Sequence, residues 1–146
     1  MREEAERRGL TVEREDLIRV GTLLRREHGS GALAERILPR LGERDVVDSI
    51  RNPAEVSVLR SIARFVLVGV RAPVEMRFAR STVRGRAGDP ADLEEFRRRE
   101  RQENTSDPAA QQLEATFRLA DRVLDNDSDV EGLRRKVDSL LSELDA

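Results

Sequence analysis

Six consecutive apolar residues, Phe65-Val66-Leu67-Val68-Gly69-Val70, restrict the fold of this chain more than any other stretch. β-Branched side chains crowd a helix and suit a pleated strand. The run does not alternate with polar residues. It therefore predicts a strand covered on both faces, as in a parallel sheet, and not a strand with one wet face. Parallel strands are joined by long crossovers, usually helical, so the flanking sequence should read as helices.

It does. Residues 1–9 read as a charged helix closed by Gly9. Thr11 caps a second helix carrying Leu17, Ile18, Leu23 and Leu24, which Gly29 and Gly31 close. A third helix spans about residues 32–41. Asp45-Val46-Val47-Asp48 is a short strand candidate. Asn52-Pro53-Ala54-Glu55 is a strong helix start, with Asn as cap, Pro in the first turn and Glu three residues after the cap. After the apolar run, Ala72-Pro73 opens a helix through Phe78 to about Val83. Arg84-Gly85-Arg86-Ala87-Gly88-Asp89-Pro90 breaks it, and residues 91–103 form a heavily charged helix. Asp107-Pro108 starts a helix reaching about Leu119. Residues 121–126 read as a strand, and Ser128-Asp129-Val130-Glu131 is a capping box for a last amphipathic helix. The alternation predicts an α/β fold with a short parallel sheet of about three strands and many helices.

With 146 residues this is most simply one domain. The net charge of −2, with 38% charged residues, argues against a nucleic-acid-coating protein. There is no cysteine, which excludes disulfides, thiolate catalysis and cysteine-zinc sites. His28 is the only histidine and lacks a partner Cys or a second His, so no metal site is expected. No apolar run approaches a membrane span, and the charged start is no signal peptide. The expectation is a soluble, cytoplasmic protein without a membrane partner.

The junction Val46-Val47-Asp48-Ser49-Ile50-Arg51-Asn52-Pro53-Ala54-Glu55-Val56 carries a resemblance, together with Phe65–Val70, Pro73–Arg80, the Arg84–Pro90 break and Ala120–Asp127. In order and spacing these segments resemble the P-loop small-molecule kinases of the adenylate kinase and dephospho-coenzyme A kinase type. They look like the substrate-side strand, the next core strand with its helix, the mobile lid and the final strand. The resemblance implies a three-layer kinase-like domain over residues 1–146, with a lid-like insertion at 84–106. It also implies that the first strand and the phosphate loop are missing, because the sequence holds no G-x-x-x-x-G-K-[ST] and its one lysine is Lys136. Ser49 stands where the family usually has glycine.

By resemblance, Asp48 would organise Mg²⁺ or orient the acceptor, and Arg84 and Arg86 would neutralise the transferred phosphoryl group. Arg51 and Arg2 would bind the phosphorylated substrate. Arg80 and Asn126 would contact ATP. The implied function is phosphoryl transfer from ATP and Mg²⁺ to a nucleoside phosphate or dephospho-coenzyme A, by a shortened chain inactive alone. The competing reading is a non-catalytic binding or regulatory module, a homodimer through exposed sheet edges.

Overall fold

The computed structural model describes residues 2–85 and 88–145. The helices α1 (Arg2–Arg7), α2 (Arg14–His28) and α3 (Ala32–Ile37) are followed by a 3₁₀ turn at Leu38–Arg40 and by α4 (Pro53–Leu59). Strand β1 (Val68–Arg71), α5 (Val74–Arg84), α6 (Leu93–Glu103), α7 (Leu113–Phe117), β2 (Arg122–Asp125) and α8 (Val130–Leu144) complete the order. The class is α/β. The chain divides into two compact units, residues 1–65 with 103–119, and residues 66–102 with 120–146.

The first unit is helical. Leu17, Val20 and Leu24 repeat at intervals of three and four along α2, so they share one face. Val20 and Leu24 are fully buried against Ala5 of α1, with Leu10 and Leu33 beside them. Ala5 is the one apolar residue of α1 and the point where that charged helix touches the core. Gly9 ends the helix at φ 69°, which lets Leu10 N–H reach back to Ala5 O at 2.9 Å. At Gly31 a Cβ would lie 2.6 Å from Val58 Cγ2, so only glycine lets α3 start this close to α4.

The start of α4 follows the expected cap. Asn52 Oδ1 accepts from Ala54 N–H at 2.9 Å. Its Nδ2 also donates to Pro108 O (2.7 Å) and Ala110 O (3.0 Å). Those two carbonyls are thereby withdrawn from helix formation, while Asp107 closes its own turn onto Ala109 and Ala110. This is why the helix expected from Asp107 to Leu119 shrinks to α7.

In the second unit β1 and β2 pair in parallel, with Val68 opposite Arg122 and Arg71 opposite Asp125. Asp121 locks the start of the ladder: its carboxylate accepts from Leu67 N–H at 2.8 Å and its N–H donates to Leu67 O at 2.8 Å. Helices α5 and α6 face each other through Phe78 and Phe96, edge to face at 5.9 Å, with Arg77 above the Phe96 ring. The ion pairs Arg97–Glu75 (2.7 Å) and Arg77–Glu100 flank these rings.

The structure corrects further sequence expectations. Residues 45–48 form no strand; the segment from Asp45 to Arg51 is irregular and Val46 is 94% exposed. A two-residue apolar core cannot hold a strand when no neighbour among the described residues pairs with it. Among the described residues the sheet therefore has two strands instead of about three. The apolar run is not covered on both faces either, because Val70 is 55% exposed. The cap of α8 is Asp129, whose Oδ1 accepts from Gly132 N–H at 2.7 Å, and not Ser128.

Candidate functional site

Three of the residues singled out from sequence lie in the first unit. Arg2 is exposed on α1. Asp48 is exposed and has no hydrogen-bond or ion-pair partner among the described residues. The next residue, Ser49, adopts φ 66°, a left-handed conformation that favours glycine. Arg51 turns away to its own unit: Nη1 donates to Gln111 Oε1 at 2.9 Å and stands 3.8 Å from Glu103 Oε2. Its backbone N–H donates to Glu55 Oε2 at 3.0 Å. Its charge is thus largely spent within the fold.

The others lie in the second unit. Arg84, at the end of α5, pairs with Asp89 at 3.0 Å. Arg86 lies outside the described residues. Arg80 and Asn126 are brought together: Arg80 Nη1 donates to Asn126 O at 3.0 Å, and Nη2 to Ser128 O at 2.8 Å.

That contact sits at the carboxyl ends of the two parallel strands, where open α/β sheets bind ligands. The last residue of β1, Arg71, holds the last residue of β2, Asp125, with two hydrogen bonds of 2.5 and 3.2 Å. Arg71 O accepts from Asn126 N–H at 2.7 Å. Lys136, from the second turn of α8, reaches under the loop and donates to Asp125 O (2.6 Å) and Asp127 Oδ1 (2.7 Å). Arg71 holds the Asp125 carboxyl below its ordinary range, and Lys136 does the same to Asp127. Ser128 Oγ is buried, without a hydrogen-bond partner among the described residues. It presses on Gly132, where a Cβ would lie 2.3 Å away.

The electrostatics separate the arginines. Arg51, Arg71 and Arg84 each face a carboxylate. Arg80 is oriented by two neutral carbonyls and meets no carboxylate among the described residues. Its charge stays uncompensated on the surface. Arg71, Asp125 and Lys136 escaped the sequence reading. The signal for the first two was their place as terminal polar residues of paired strands. Lys136 was legible only as the single lysine, because its partners lie nine and eleven residues upstream.

Over 148 aligned residues the sequence is 38% identical to a UPF0200 protein of Hyperthermus butylicus, covering 99% of this chain and 77% of that protein. The chain belongs to the UPF0200 family. A UPF0200 protein of Thermococcus gammatolerans is 30% identical over 153 residues, with 78% of its length covered. The UPF0200/UPF0201 protein of Archaeoglobus fulgidus is 34% identical over 152 residues, and this chain spans 46% of it. No protein-family model matches the chain. The expected membership of the P-loop small-molecule kinases is corrected by these findings. The relatives bear the UPF0200 name and no kinase name. Among the described residues no helix is long and apolar enough to cross a membrane, and no cluster of three or more His, Cys, Asp or Glu forms a metal site.

Proposed function

We propose that this chain is a binding module for a small phosphorylated ligand, a nucleotide first of all, at the carboxyl ends of β1 and β2. The observation that carries this reading is the uncompensated guanidinium of Arg80, held by the carbonyls of Asn126 and Ser128. A preoriented arginine is a good phosphate ligand, and little side-chain freedom remains to be lost on binding. In this reading Asn126 meets the base, and ATP with Mg²⁺ is the form to test first. The chain alone transfers no phosphoryl group. Of the arginines expected on phosphate, Arg84 for the transferred group is engaged by Asp89 and Arg51 for the substrate by Glu103. A homodimer through a sheet edge completes the reading, in the cytoplasm.

Calorimetric titration with ATP, ADP and AMP, with and without Mg²⁺, tests it. Arg80→Met should weaken binding about tenfold or more, the loss expected for one charge-assisted contact. Arg80→Lys should retain part of it, and Arg84→Met should leave it unchanged. Equal binding by wild type and Arg80→Met, or no binding at millimolar ligand, overturns the assignment. ATP turnover by the purified chain overturns the non-catalytic half.

A further inference from the structure

We propose that two copies of this chain join antiparallel along the outer edge of β2, with Leu124 on the twofold axis. This rests on the homodimer part of the reading above and is independent of ligand binding.

An open groove of about 340 Å³ is lined by all four residues of β2 and by Lys136, Ser139, Leu140 and Glu143 of α8. Successive strand residues point to opposite faces. A groove that touches all four must therefore run along the edge of the strand. The other edge belongs to β1. The backbone agrees. Arg122 N–H donates to Leu67 O at 3.3 Å and Asn126 N–H to Arg71 O at 2.7 Å, so the even-numbered residues of β2 turn toward β1. The amides and carbonyls of Val123 and Asp125 turn outward. Lys136 confirms the direction, since it meets the Asp125 carbonyl from the groove side. The outer edge thus presents the N–H and C=O of Val123, the N–H of Asp125 and the second lone pair of the Asp125 carbonyl. Val123 itself is 43% exposed. Such an edge is a template for another strand.

The charge pattern selects the occupant and its register. In an antiparallel pair, opposed residues either both turn toward each other or both turn away. A twofold axis must then pass through a residue and its own copy. On Arg122 it opposes two guanidiniums, and on Asp125 two carboxylates. On Val123 it sets Asp121 against Asp125 of the second copy. On Leu124 it opposes leucine to leucine, and Val123 exchanges both backbone hydrogen bonds with Asp125 of the second copy. Over the five residues centred on each axis, this last register alone has no like charges directly opposed; Asp121 meets Asp127 of the second copy only one pair further out, beyond the ends of β2. The product is a four-stranded sheet with an apolar centre, and a twofold self-pairing is the commonest form of homo-oligomer.

Two experiments decide it. Val123→Pro removes an outward N–H that the ladder with β1 does not use, so it should spare the fold and shift sedimentation from dimer to monomer. Leu124→Cys tests the axis directly, in a chain without cysteine. Residues opposed without hydrogen bonds lie closest, about 4.5 Å between Cα atoms, within disulfide reach. Mild oxidation should yield a crosslinked dimer, whereas Val130→Cys should stay monomeric in denaturing gels. A wild-type monomer at about 100 μM, a dimer that Val123→Pro leaves intact, or no Leu124→Cys crosslink overturns the proposal. Nucleotide binding by a monomer would sink this inference and leave the ligand reading standing.

Discussion

Arg25 and Glu55 form an ion pair inside the first unit, with Arg25 Nη2 donating to Glu55 Oε1 at 2.6 Å and Nε to the same oxygen at 2.9 Å. The two residues are only 5% and 4% exposed. The pair joins α2 to the first turn of α4. The other carboxylate oxygen accepts the N–H of Arg51, so one side chain ties three segments together.

Removing one partner leaves a buried charge without its counter-ion, which costs about 3–5 kcal/mol. Glu55→Ala should lower the urea midpoint accordingly. The paired change Arg25→Met with Glu55→Leu should recover most of that loss, because apolar residues of similar volume replace buried pairs well. A double mutant no more stable than Glu55→Ala would contradict this.

Asn52 separates into two roles. Its Oδ1 caps α4 and its Nδ2 holds Pro108 O and Ala110 O. Asn52→Ala loses both, about 2 kcal/mol, from a cap near 1 kcal/mol and two part-buried hydrogen bonds to carbonyls. Asn52→Asp keeps the acceptor and loses the donors. Denaturation of both variants, with amide exchange over residues 108–112, should show the loop loosening in each and the cap failing only in the first.

Acid should weaken the first unit through Glu4. The side chains of Arg7 and Arg8 bond its carboxylate and bring its pKa from 4.5 down to about 2. The folded state therefore holds this proton less tightly than the unfolded chain. The stabilisation is complete above the ordinary value and is lost as pH falls toward 2. Asp16 and Glu27 are lowered too, by Thr11 and by Arg8, and act in the same direction. Carboxyl carbon NMR should find Glu4 titrating near 2, and Glu4→Gln should flatten part of the acid limb of a melting-temperature profile. A Glu4 midpoint above 4 would contradict this.

Helix α6 has no buried residue, and Phe96, Arg97 and Glu100 connect it to α5. Few buried contacts mean a low cost of local opening. Amides of residues 93–103 should exchange faster than those of α2. About 0.5 M salt should speed them further by screening the exposed pairs. Phe96→Ala should do so as well, with α2 unaffected.

Much of the helical framework is legible because its signals are local. Asn52, Pro53 and Glu55 announce α4 through backbone groups within three residues, and Leu17 and Leu24, two of the apolar positions read on α2, orient it through geometry internal to one helix, although Val20 between them was not singled out. The candidate site is less legible. Arg80 and Asn126 were both named from sequence, yet their contact spans 46 residues of chain. Arg71 opposite Asp125 depends on strand register, which no local pattern contains. Val46-Val47 shows the converse error, since a short apolar pair has strand character but no partner edge among the described residues.

Alone, the sequence determined that Asn52 caps the start of α4, that strands form around residues 65–70 and 121–126, and that cysteine chemistry is absent. These follow from caps, periodicity and composition, all readable within a few residues. Only the tertiary structure decided that, among the described residues, the sheet has two strands, Arg51 and Arg84 meet carboxylates while Arg80 meets none, and no strand pairs with the outer edge of β2. Those outcomes depend on which distant groups meet, and charge compensation is a property of the meeting, not of either residue.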